Sequence, residues 1–64
     1  MFDITRNGQG NAVYSATDRD GDDFDIEFYG DELIEISVYS ETGCLLLDKE
    51  EALIFAKTII DQLN

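Results

Sequence analysis

Sixty-four residues carry fifteen acidic and four basic side chains and no histidine, a formal net charge of -11 on 7.2 kDa. Charge of that sign repels nucleic acid and anionic lipid, because neutralising phosphates takes lysine and arginine. An apolar content of 44% is too high for a disordered acidic tail and points to one small globular domain spanning residues 1–64.

A domain of this length buries only about 60% of its unfolded surface, so a disulfide, a metal or a second subunit is the usual support. Cys44 is the only cysteine and cannot form an internal bridge. A single thiol suits a reducing compartment. No run approaches the ~20 apolar residues of a membrane span, and the N-terminus has no basic segment leading into an apolar one. A cytoplasmic protein is expected, in a bacterial host if the gene is carried by a phage.

Prolines are absent, and glycines at 8, 10, 21, 30 and 43 punctuate strand-like runs. The first strand is expected at about 2–6 with Phe2 and Ile4 inward, followed by a turn across Gly8 to Gly10. The second and third strands, about 12–19 and 22–29, flank Asp20-Gly21, a pair suited to a type I′ hairpin. With that turn at the tip, Thr17 faces Phe24, Ser15 faces Ile26 and Val13 faces Phe28. Val13, Thr17, Phe24, Ile26 and Phe28 then share a core face, and Tyr14, Asp18, Asp23, Asp25, Glu27 and Tyr29 share the other. Gly30-Asp31-Glu32 turns into a fourth strand at about 33–39, with Ile34, Ile36 and Val38 inward and Leu33, Glu35, Ser37 and Tyr39 outward. Cys44 to Leu47 reads as a further short strand, Leu45 against Val38 and Leu47 against Ile36, leaving Leu46 and Cys44 outside.

Asp48-Lys49-Glu50-Glu51 has the form of a capping box. Ala52, Phe55, Ala56, Ile59, Ile60 and Leu63 then recur at spacings of three and four, which predicts a helix over about 49–63 with one apolar stripe. The expected fold is α+β: a four-stranded antiparallel β-meander with one C-terminal α-helix packed on one face. An antiparallel sheet can leave its other face to solvent.

Between Asp18 and Glu27, six of ten residues are acidic. No histidine is available as a base, and a sheet covered by one helix has little room for a cleft that separates two carboxylates. An enzyme is therefore not expected. Asp18, Asp20 and Asp22 alternate as in a calcium loop, but the sixth and twelfth positions hold Asp23 and Tyr29 instead of glycine and glutamate. Weak calcium binding at the tip is a minor alternative, and no dedicated metal site or cofactor is expected. Gly8-Gln9-Gly10 precedes a strand instead of a helix and so lacks the context of a phosphate loop.

Protein binding is the function these residues favour. Asp18, Asp20, Asp22, Asp23, Asp25, Glu27 and Glu35 supply charge for steering, and Tyr14, Tyr29 and Tyr39 supply contact area. The expected partner is a basic protein surface, such as that of a nucleic-acid-binding enzyme or effector complex, with no direct binding to nucleic acid or membrane. Small size and strong acidity of this kind are the general character of DNA- and RNA-mimicking inhibitors made by phages and other mobile elements, among them inhibitors of restriction enzymes, repair enzymes and CRISPR effectors. The likeness is similar composition and involves no motif. The alternative is a homodimeric interaction module whose apolar contact uses Leu33, Cys44 and Leu46, with Tyr39 beside them.

Overall fold

The computed structural model describes residues 2–64. Strands β1 (Asp3–Arg6), β2 (Ala12–Thr17), β3 (Asp23–Tyr29) and β4 (Leu33–Tyr39) form one antiparallel sheet in the order β1-β2-β3-β4, and helix α1 (Lys49–Leu63) follows. The molecule is thus an α+β meander with a single C-terminal helix. Among the described residues no helix is long and apolar enough to cross a membrane.

Local chemistry starts the helix. The Glu51 N–H donates to Asp48 Oδ1 at 2.8 Å and the Asp48 N–H to Glu51 Oε1 at 3.2 Å, so two of the orphan donors at the N-terminus are satisfied reciprocally. Glu50 and Glu51 also lie at the positive end of the helix dipole. No residue of α1 is fully buried, but Phe55 and Ile59 pack on the sheet.

The core is the single layer between sheet and helix. Phe24 and Ile26 are fully buried, with Phe28 and Tyr14 nearly so, and Phe2, Ala12, Ala16, Ile34, Val38, Leu45 and Leu47 close around them. Aromatic rings run through it edge to face: Phe2 with Tyr14 at 6.0 Å and with Phe24 at 5.9 Å, and Tyr14 with Phe28 at 5.3 Å.

The β2–β3 register differs by one residue from the type I′ expectation, which reverses every β2 side chain. Thr17 pairs with Asp23, Ala16 with Phe24, Ser15 with Asp25, Tyr14 with Ile26 and Val13 with Glu27. Tyr14 therefore enters the core while Val13 and Thr17 turn outward. A type I′ turn would need positive φ at Asp20, and among the described residues only glycines adopt it, Gly21 at 85°. The chain instead makes a three-residue loop between Asp18 and Asp22, closed by Asp18 N–H to Asp22 O at 2.8 Å and Gly21 N–H to Asp18 O at 3.1 Å. Asp18 Oδ1 accepts the N–H groups of Asp20 and Asp22, an Asx-type clasp. Packing favours the same register. An aromatic ring brings roughly 150–250 Å² to a core, more than valine offers, at about 25 cal/mol per Å², and Ala12 and Ala16 leave room beside Phe28 and Phe24.

The first hairpin repeats this loop eleven residues earlier. Asn7 N–H donates to Asn11 O and Gly10 N–H to Asn7 O, Asn7 Oδ1 accepts from Gln9 and Asn11, and Gly10 has φ 82°. Asn7-Gly8-Gln9-Gly10-Asn11 and Asp18-Arg19-Asp20-Gly21-Asp22 are two copies of one turn.

Cys44 to Leu47 is not a strand. Leu45 and Leu47 do pack inward, but the segment crosses to the β2–β3 tip instead of pairing with β4. There Arg19 N–H donates to Leu46 O at 2.9 Å and Leu46 N–H to Asp18 Oδ2 at 3.1 Å. The buried Asp18 carboxylate thus holds three backbone N–H groups. These pull its pKa below 3.8, the Leu46 bond first, against the opposing effect of burial.

Candidate functional site

Register dictates which side chains share the uncovered face of the sheet. Across it run Thr17, Asp23 and Tyr39; then Asp3, Ser15, Asp25 and Ser37; then Thr5, Val13, Glu27 and Glu35; and finally Tyr29 beside Leu33. Five carboxylates and no lysine or arginine occupy these positions. The four basic residues lie elsewhere: Arg6 faces the core side, Arg19 is in the hairpin tip, and Lys49 and Lys57 are on α1.

Neutral partners organise the acids. Glu27 Oε2 accepts Asn7 Nδ2 at 2.7 Å and Asn11 Nδ2 at 3.0 Å. Tyr39 Oη donates to Asp25 Oδ2 at 2.9 Å and Tyr29 Oη to Glu35 Oε1 at 3.2 Å. Glu27 and Glu35 sit directly opposite each other, an arrangement like charges disfavour, and these donors are what make it tenable. The Asn11 amide is the main reason the Glu27 pKa falls below 4.5, with Asn7 and Tyr29 adding to it against burial and the repulsion of Asp25. Burial and the charges of Glu27 and Glu35 push Tyr29 above 10.0, and the bond to Asp25 does the same for Tyr39. Three of the five carboxylates, Asp25, Glu27 and Glu35, are thus held by neutral donors.

Toward the β2–β3 tip the face dips into an open depression of about 410 Å³ lined by Asp3, Ser15, Thr17, Asp23, Asp25 and Tyr39. Asp23 and Asp25 are two residues apart on one strand, about 6.8 Å, and Asp3 lies two strands from Asp25, about 9.6 Å. Calcium needs oxygens within about 2.6 Å of one point, and among the described residues no group of three or more acidic, histidine or cysteine side chains is placed to hold a metal ion. Acids at this wider spacing, interleaved with three hydroxyls, match an ammonium or guanidinium with several N–H donors.

Of the residues singled out from the sequence, Asp23, Asp25, Glu27, Glu35, Tyr29 and Tyr39 gather on this face. Asp20 and Asp22 lie in the hairpin tip at its end. Tyr14 and Asp18 do not join it: both are buried on the core side, Tyr14 as packing and Asp18 as a backbone acceptor. Leu33 is at the β3–β4 turn end, whereas Leu46 is fixed to the opposite, β2–β3 end, so Leu33, Cys44 and Leu46 form no common patch. Asp3, Asn7 and Asn11 were missing from the sequence reading. Alternation with Phe2 and Ile4 already sends Asp3 outward, although Ile4, expected inward, lies on the core side of the edge strand and stays 62% exposed, and the asparagines flank the Gly8–Gly10 turn.

The chain matches no protein-family model, no curated protein and no solved structure, so the site stands on its own geometry.

Proposed function

We propose that the protein is a non-enzymatic inhibitor that binds a basic surface of another protein, one built to hold nucleic acid, and places carboxylates where phosphates would sit. The observation that carries this reading is the sheet face bearing Asp3, Asp23, Asp25, Glu27 and Glu35 without one lysine or arginine. Pairing within the sheet fixes these charges relative to one another, so a partner spends little ordering entropy on them. Tyr29 and Tyr39 add contact area, and each already orients a carboxylate. The depression by Asp23 and Asp25 accepts a lysine or arginine side chain.

The test is capture of the target from lysate followed by competition. A target of this kind is released by duplex DNA or RNA and by salt, and Asp23→Lys/Asp25→Lys slows its association by at least about tenfold while flattening the salt dependence. A captured protein indifferent to nucleic acid, or one that binds the double variant at the wild-type rate, rules the reading out.

A further inference from the structure

The two edges of the sheet are unlike. β1 has only four residues, and around its exposed Ile4 (62%) stand Asp3, Thr5 and Arg6, a short edge with two charges of the kind that resists pairing. β4 has seven residues with Glu35 as its one charge, and Leu33 (60%), Ile36 (47%) and Tyr39 (59%) are among the large hydrophobic side chains most open to solvent. Ile36 faces the core side opposite the fully buried Ile26. Ile34 and Val38 pack against the core, but Ile36 between them is left open.

The free backbone groups of this edge can be identified. Asp18 N–H bonds Asp22 O, and alternation along the ladder makes the pairs of Phe24, Ile26 and Phe28 with β2 the hydrogen-bonded ones. On β3 the outer-face residues then bond to β4. The N–H and C=O groups of Ile34, Ile36 and Val38 consequently point away from the sheet, and no hydrogen bond reaches them among the described residues.

We infer that β4 is a docking edge for a second copy of this chain, paired antiparallel about a two-fold axis at Ile36. Ile36 is the central residue of β4, and this register is self-complementary. Ile34 meets the partner's Val38 on the core side, and Leu33 meets the partner's Tyr39 on the outer side. Glu35 meets the partner's Ser37, so the two Glu35 carboxylates avoid each other. Each of the three unpaired residues gains both its backbone bonds, and the exposed Ile36 is covered by its counterpart. The product is an eight-stranded sheet with both acidic faces on one side.

Sedimentation equilibrium tests this. A dimer is expected at about 0.2 mM chain, and it tightens between about 0.05 and 0.5 M NaCl because salt screens the repulsion of two chains of like charge. That trend is opposite to the weakening expected for a basic target, so the two readings fail separately. Ile36→Lys and Ser37→Glu each weaken the dimer at least about tenfold, the second by setting a new carboxylate against the partner's Glu35, and Glu35→Lys/Ser37→Glu restores it. Circular dichroism checks that the variants fold. Should they not, protection of the Ile34, Ile36 and Val38 amides in the wild type must rise with protein concentration. A wild-type monomer throughout that range overturns the proposal, as does a dimer indifferent to Ser37→Glu or amide protection independent of concentration.

Discussion

Asp18 shows how much one side chain can decide. Its Oδ1 shapes the β2–β3 loop and its Oδ2 fastens the connection to α1. Replacing it separates the two tasks. Asp18→Asn keeps the Oδ1 acceptor, as Asn7 does in the first hairpin, but sets an N–H₂ against the Leu46 N–H. Asp18→Ala loses both. The expected order of thermal midpoints is wild type, then Asn, then Ala, with Ala lower by roughly 5–10 °C; equal midpoints for the wild type and Asp18→Asn would show that the Leu46 bond contributes nothing, and equal midpoints for the two variants that the Oδ1 bonds contribute nothing. The sign with pH follows from the lowered pKa. A carboxyl that is more acidic folded than unfolded stabilises fully above its unfolded value of about 3.8 and loses that contribution as pH falls through the lower folded value. Asp18→Asn removes this part of the acid response.

At the scale of elements, the two Asx–glycine loops set the register of the first three strands. Both Gly10 and Gly21 need left-handed backbone, although neither is crowded. Gly21→Ala is expected to cost about 1–2 kcal/mol, or roughly 4–16 °C in midpoint for a domain of this size, with Gly21→Asn intermediate. Urea unfolding of the pair checks this, and an unchanged midpoint for Gly21→Ala would mean that the loop is not built as described. The elements themselves were legible in the sequence, because glycine spacing marks the turns and the 3.6-residue period of residues 52–63 leaves no other reading. The register was not. Asp-Gly has a strong local association with type I′ turns, and its other use appears only when Asp18 and Asp22 are compared with Asn7 and Asn11. Moving β2 by one residue took Tyr14 out of the candidate site and brought Ser15 and Thr17 into it. Residues of β3 and β4 kept their faces because alternation of apolar and polar side chains within each strand assigns them without a register. The path of residues 44–47 rests on a contact between Asp18 and Leu46 that no local pattern encodes.

For the whole molecule, charge opposes compactness. A net charge of -11 with a pI near 4.1 means that mild acid relieves self-repulsion. Below that, protonation of Asp18 and Glu27, whose folded pKa values are lowered, removes native interactions. Thermal stability should therefore rise from pH 7 to a maximum at about pH 5 and then fall steeply. On the alkaline side Tyr29 and Tyr39, with raised pKa values, stabilise fully below about pH 10 and lose that contribution as pH climbs through the folded values. A differential scanning calorimetry series across this range checks the profile, and a midpoint that declines steadily from pH 7 to pH 4 would contradict it. The Asp18 clasp has a further consequence for motion. Amide protons at Asp20, Asp22 and Leu46 are anchored by one carboxylate, which lies 28 residues from Leu46 in the chain, so a single fluctuation unlocks all three and deuterium should enter them in concert.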